Sequence, residues 1–107
     1  MLKALHALQY KSEVTNTERH LIASKFLALL DTCALNEKPY ILSATGGKNN
    51  SPEGQTRGLE HSFVLTFASL ADRDYYLDVD PAHQAFKADI GSKIASAVVM
   101  DFEAGVF

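Results

Sequence analysis

The sequence is poor in the residues that mark several classes of protein. It has no tryptophan and only one cysteine, Cys33, in 107 residues. A single cysteine can form neither an internal disulfide nor a thiolate zinc site. No apolar run approaches the roughly 18 residues of a membrane-spanning helix, and the opening MLKALHALQYKSE lacks the pattern of a secretory signal. With 13 acidic and 10 basic side chains, it has no basic footprint for nucleic acid. These absences predict a cytoplasmic protein that binds neither nucleic acid nor membrane.

The sequence does contain enough apolar material for one core. Apolar residues make up 47% and charged residues 21% of the chain, which is the balance of an ordinary soluble globular protein. Its length predicts one domain over residues 1–107. Because a chain this short buries only about two thirds of its unfolded surface, dimerisation would complete the core.

Periodicity and turn residues predict the order strand, helix, strand, strand, helical region, strand. Thr15 with Glu18 is a capping-box pattern, and Asp80 followed by Pro81 is typical of a helix start. The predicted strands cover residues 2–11, 39–45, 59–67 and 97–103. The first helix is predicted from the capping box to about residue 35, a short second helix begins at a cap at Ser69, and a third runs from Asp80 to Ile94. The glycine-rich stretch 45–58 is a predicted loop. This order is the split βαβ arrangement, an α+β fold.

His83 is the main candidate for chemistry. Histidine has the ordinary pKa nearest neutrality, which suits it to proton transfer. The residue lies in the first turn of the helix that Asp80 opens, where the positive helix end disfavours imidazolium and the carboxylate favours it. Two interpretations stay open: a neutral imidazole that accepts a proton, or a first-turn histidine without a role.

Two further histidines and a tyrosine pair could complete such a site. His6 and His61 each lie in an apolar row of a predicted strand, so both could approach the space under the helix that carries His83. Alternatively, each is a half-buried imidazole bonded to a backbone carbonyl. Tyr75 and Tyr76 point about 100° apart on a helix, so one would face inward, either to donate to a developing oxyanion or to pack in the core.

Six short motifs along the chain form a recognisable set. They are His6 followed by Lys11, GGKNNS at 46–51, GLEHSFVLTF at 58–67, RDYY at 73–76, DPAHQAF at 80–86 and VMDF at 99–102. On these motifs the chain resembles the stress-responsive A/B barrel (Dabb) family over essentially its whole length. The resemblance implies a ferredoxin-like protomer with an antiparallel four-stranded sheet, and a homodimer that forms a dimeric α+β barrel.

The resemblance also implies an activity. The family includes cofactor-independent polyketide cyclases of the olivetolic acid cyclase type, in which the base is similar to His83, an upstream tyrosine is similar to Tyr75 or Tyr76, and pocket histidines are similar to His6 and His61. It therefore implies a polyketide cyclase or lyase that uses aldol chemistry without cofactor or metal. Other members have no clear reaction, so a non-catalytic dimeric stress-response or ligand-binding protein is the alternative.

A dry, apolar pocket would hold a small, polyketide-like substrate and strengthen the polar contacts made to it. We expect this pocket to be lined by Leu8, Phe26, Phe63, Leu65 and Phe86.

Overall fold

Each helix of the computed structural model, which describes all 107 residues, begins at a side-chain cap that the sequence supplies. The side chains of Thr15, Ser69 and Asp80 each accept a backbone N–H from the first turn that follows. The elements are β1 (Leu2–Tyr10), α1 (Asn16–Thr32), β2 (Ala34–Leu35), β3 (Lys38–Pro39), β4 (Ile41–Lys48), β5 (His61–Phe67), α2 (Leu70–Asp78), α3 (Pro81–Ile90), a 3-10 turn (Gly91–Lys93) and β6 (Ile94–Glu103). No helix is both long and apolar enough to cross a membrane.

Four strands form one antiparallel sheet in the order β4-β5-β1-β6. The helices pack on one face of it, so side chains of β1 alternate between buried and half-buried along the whole strand. This is the ferredoxin-like α+β fold, and it confirms the predicted class. The short strands β2 and β3 form a separate hairpin that carries the chain from α1 back to the sheet.

Helix α1 is shorter than predicted and ends at Thr32 rather than near residue 35. Cys33 takes an extended conformation and is fully buried, which turns the chain off the helix axis. Asn36 and Glu37 then adopt positive φ angles of 52° and 66° and form the turn of the β2–β3 hairpin.

The start of the predicted glycine-rich loop is in fact strand. Gly46 and Gly47 belong to β4, opposite Phe63 and Ser62 of β5. A Cβ at Gly46 would lie 2.5 Å from the Phe63 ring, so this glycine serves close packing and not a turn. At the other end of the chain, α3 stops at Ile90, and Ile94 starts β6 instead of extending the helix.

The sheet face opposite the helices is apolar and uncovered. Leu5 and Val64 are cross-strand neighbours there, and Met100 lies opposite Leu5 on β6. Met100 and Phe102 are about half exposed, at 63% and 47%. The protomer therefore presents an apolar patch on the side away from its helices, flanked by the hydrogen-bonded pairs Lys3–Thr66 and Gln9–Ser96.

Candidate active site

His83 lies in the first turn of α3 with its ring orientation determined by one hydrogen bond. Its Nδ1–H donates to the backbone carbonyl of Tyr76 at 2.7 Å, and the two rings stack with centroids 3.7 Å apart and 13° between their planes. Since Nδ1 carries the proton, Nε2 carries the lone pair. Burial lowers the pKa of His83, so at neutral pH the ring is an uncharged base.

The tyrosine beside His83 is Tyr76, and Tyr75 lies elsewhere. Tyr76 is fully buried, and its hydroxyl has no hydrogen-bond partner. Burial raises the pKa of its phenol, which keeps the group as an O–H donor. Tyr75 instead donates to the carbonyl of Ala34 at 3.2 Å, on the side of the β2–β3 hairpin.

His6 of β1 lies on the helix-facing side of the sheet, next to Phe26. It is buried, and its Nε2 has no hydrogen-bond partner. Desolvation lowers the pKa of His6 to about 4; the charge of Asp101 opposes that shift and His83 adds to it. His6 is therefore neutral at physiological pH, and it lies within electrostatic range of Asp101 and His83.

Asp101 is a member of this site that the sequence analysis did not single out. One carboxylate oxygen accepts a hydrogen bond from Arg73 Nη1 at 2.9 Å, while Oδ1 is buried without a partner. The residue lies opposite Ala4 of β1, and hence on the same face as His6. The alternation of β6 was the signal that could have found it, because a carboxylate there must face the helix side.

We call His6, Tyr76, His83 and Asp101 the polar cluster. Three buried side-chain polar atoms in the chain lack a hydrogen-bond partner, namely His6 Nε2, Tyr76 Oη and Asp101 Oδ1, and all three belong to it. Each such atom costs about 1–3 kcal/mol in a protein interior. Their concentration in one place is what a binding site for a polar group would require.

The polar cluster is close to solvent on the side of β6. Val99 is the cross-strand neighbour of His6 on the helix side of the sheet, yet 56% of it is exposed. The helices therefore leave the inner face of β6 uncovered directly beside His6.

His61 does not join the polar cluster. Its Nδ1 shares a 2.8 Å hydrogen bond with the Tyr10 hydroxyl, and its Nε2 lies 3.6 Å from the Glu60 carboxylate. Burial lowers the pKa of His61, which Glu60 partly offsets. Two of the predicted histidines thus lie together, and the third lies at the loop end of the β4–β5 hairpin.

The five predicted pocket residues are all buried in one core. Phe26 stacks on Phe63 with centroids 4.2 Å apart, and meets Phe86 edge-on at 5.2 Å. Phe26 also lies 5.2 Å from the His6 ring, while Phe63 lies 6.3 Å from that of His61. The Phe26–Phe63 stack therefore separates the two histidines. The full predicted set is Leu8, Phe26, Phe63, Leu65 and Phe86, and its role in binding substrate remains a prediction.

Comparison with known proteins identifies the family. Residues 5–104 match the Stress responsive A/B Barrel Domain family, Dabb. The chain belongs to this family, as its motifs indicated. No curated protein matches it.

Solved structures share the fold at low sequence identity. A protein of Arabidopsis thaliana superposes with a TM-score of 0.88 at 20% identity, with 100% of this chain and 98% of that chain covered. A hydroxynitrile lyase from Passiflora edulis gives 0.85 at 19% identity, covering 99% and 95%. A dimeric ferredoxin-like protein of unknown function from Thermobifida fusca gives 0.74 at 17% identity, covering 94% and 88%.

Proposed function

We propose that the protein is a cofactor-independent small-molecule enzyme that makes or breaks a carbon–carbon bond next to a carbonyl group, with aldol-type cyclisation of a polyketide as its reaction. The observation that carries the proposal is the polar cluster, where a neutral imidazole lies against a phenol that has no partner. That combination supplies a base and an oxyanion donor in one water-poor place.

The proton path follows from the tautomer of His83. Its Nε2 lone pair removes a proton from the carbon next to a substrate carbonyl, and the Tyr76 hydroxyl donates to the enolate oxygen that forms. The enolate carbon attacks a second carbonyl of the same chain, and the new alkoxide takes the proton back from His83. The net step is an addition without loss of atoms, so no external oxidant or reductant enters.

His6 and Asp101 complete the environment of this step. The unpartnered Nε2 of His6 is available to the substrate oxygen, and the low pKa of His6 keeps its ring uncharged. The hydroxynitrile lyase that shares the fold supports the class of reaction, because cyanohydrin cleavage also pairs proton transfer at oxygen with carbon–carbon bond breaking. Most of any rate gain in a cyclisation would come from holding the substrate folded.

We also propose that the protein is a homodimer joined through the uncovered sheet face. Met100 and Phe102 expose apolar side chains there, and burial of such a face against a second copy is favourable at about 25 cal/mol per Å². Two proteins that share the fold are dimeric, which supports a homodimer.

The test is turnover of two substrate types by the purified protein, a linear β-polycarbonyl thioester and an aromatic cyanohydrin, followed by chromatography of the products. We expect cyclised product from the first, and loss of at least 100-fold in His83→Gln. Ala88→Ser, on the exposed side of the same helix, is the matched control. Unchanged turnover in His83→Gln would remove His83 as the base.

One observation favours a second function, a non-catalytic dimeric ligand-binding protein. The three main surface clefts are lined by neither His6 nor His83, so these openings do not lead to the polar cluster. Absence of turnover on both substrate types, with ligand binding retained, would establish this function instead.

A further inference from the structure

A cleft of about 410 Å³ lies between α1 and the loop end of the β4–β5 hairpin. The helix side is one stripe of residues spaced three and four apart, and the sheet side is the end of β4 with two residues of β5. The lining residues are His20, Ala23, Ser24, Leu27, Gly46, Gly47, Lys48, His61 and Phe63. Its size is within the range of small-molecule sites.

Small residues keep this cleft open. Ala23 and Ser24 face it from α1, and Gly46 faces it from β4. Gly46 lies opposite Phe63, and because it has no side chain, the edge of the Phe63 ring forms an apolar floor. The cleft therefore has an apolar base, formed by the edge of the Phe63 ring with Ala23 and Leu27 beside it.

The charges around the cleft are positive, in a chain whose net charge is -3. Lys48 lies opposite His61 and makes no ion pair. The Glu60 carboxylate, 3.6 Å from His61 Nε2, is bound by Arg19 at 2.6 Å. No acidic side chain lines the cleft itself, so the ammonium group of Lys48 is left without an anion.

Polar donors accompany that charge. The imidazoles of His20 and His61 both line the cleft; His61 is buried, with Nδ1 engaged by Tyr10. The Glu60 carboxylate, which Arg19 binds, has the largest electrostatic effect on His61, and His20, Lys48 and Arg19 oppose it. These four side chains therefore lie around the inner end of the cleft. Cationic and hydrogen-bonding groups at one end of an apolar slot match a carboxylate attached to a flat apolar body.

From these contacts we propose that the cleft between α1 and the β4–β5 hairpin binds a small apolar carboxylate, with Lys48 as the partner of its anionic group and with Ala23, Leu27 and the edge of Phe63 as the surface for its apolar part. The Phe26–Phe63 stack separates this site from the polar cluster. Binding here does not depend on turnover at His83.

The experiment is an NMR titration of the 15N-labelled protein with 2-naphthoate and, separately, with 2-naphthamide, which keeps the ring system and removes the charge. We expect saturable shifts of the backbone amides of Ser24, Leu27 and Gly47 with the acid, and at least tenfold weaker binding of the amide. The same affinity for both ligands would overturn the role of charge, and shifts confined to other parts of the chain would overturn the site.

Two variants test the residues. Lys48→Met is expected to weaken 2-naphthoate binding about tenfold, and Lys38→Met, at an exposed lysine of β3 that makes no ion pair, is the matched control. Ser24→Trp, on the exposed helix surface, fills the cleft and is expected to abolish binding. Equal binding by wild type and Lys48→Met overturns the proposal. Since His83→Gln should bind 2-naphthoate like wild type, loss of turnover and loss of this site are separate outcomes.

Discussion

The rings of His6, Phe26, Phe63 and His61 contact one another in that order. The histidines at the two ends of this row differ in their hydrogen bonding. At one end, the ring of His61 is bonded to the Tyr10 hydroxyl at 2.8 Å. At the other, His6 Nε2 and the Tyr76 hydroxyl are buried without partners. Both ends are desolvated, and burial lowers the pKa of both histidines. They differ in whether the chain itself satisfies the polar atoms.

This difference distinguishes a structural polar pair, Tyr10 with His61, from a candidate binding site, the polar cluster. A buried imidazole whose hydrogen-bond partner is part of the protein adds stability and needs no ligand to complete its hydrogen bonding. Buried donors and acceptors without partners cost free energy, and a protein keeps them where something else will bind. On this criterion we assign the proposed chemistry to the polar cluster, although all three histidines occur in similar strand or helix contexts in the sequence.

The largest expected effect concerns turnover at the two ends. His83→Gln removes the base and should lower kcat by about 100-fold or more, while His61→Gln should lower it by less than about tenfold, since His61 lies beyond the Phe26–Phe63 stack. Steady-state rates on the β-polycarbonyl substrate give both values. Equal losses would show that the two ends act as one site.

The second prediction is a loss of stability in acid that comes from His6. The folded pKa of about 4 lies below the ordinary 6.5, so the unfolded chain takes up the proton first as the pH falls. The contribution of His6 is complete above pH 6.5 and is lost progressively towards pH 4. The expected loss is about 2 kcal/mol at pH 5 and about 3 kcal/mol at pH 4.

Urea unfolding at pH 7.5 and pH 5 measures this loss. His6→Leu removes the titrating group, so the free energy of unfolding should fall less between the two pH values than it does in wild type. His20→Gln, at an exposed histidine, should leave the difference unchanged. An undiminished pH dependence in His6→Leu would show that the imidazole of His6 is not held neutral.

The third prediction concerns the satisfied end. Tyr10→Phe removes the hydroxyl that bonds His61 Nδ1 and leaves that nitrogen buried without a partner. The expected cost is about 2 kcal/mol, measured as a lower urea midpoint with an unchanged m-value. A neutral result would mean that water replaces the hydroxyl, and that the His61 end is wetter than its burial indicates.

The fold was largely predictable from the sequence because its signals are local. The caps at Thr15, Ser69 and Asp80 and the alternation in β1 and β5 need no knowledge of tertiary structure. The errors came where tertiary packing decides. Gly46 was assigned to a loop, yet it is a strand residue because the Phe63 ring occupies the space of a Cβ.

The site was predictable only in part for the same reason. Residue type and helix position indicate His83 as the candidate base. The sequence limits the candidate oxyanion donor to the adjacent tyrosines Tyr75 and Tyr76, of which only one can face inward on a helix. Which of the pair faces inward depends on the packing of α2 against α3, and the separation of His61 depends on the stacking of Phe26 with Phe63. No local pattern encodes these contacts, since Tyr76 and His83 lie on different helices and Phe26 and Phe63 are 37 positions apart in the sequence.

The smallest expected effect is a change in the free energy of unfolding, and its sign is opposite to that expected for Tyr10→Phe. It therefore tests the contrast between the two histidine ends most directly. Tyr76→Phe removes a buried hydroxyl without a partner and keeps the ring that stacks on His83. The free energy of unfolding should rise by about 1 kcal/mol, which raises Tm by several degrees in a domain of this size. Turnover should fall, since the oxyanion donor is lost. A variant that is more stable and less active would identify the hydroxyl as retained for chemistry at a cost in stability. A less stable variant would mean that the chain or bound water already satisfies this hydroxyl, and the distinction between the two ends would then disappear.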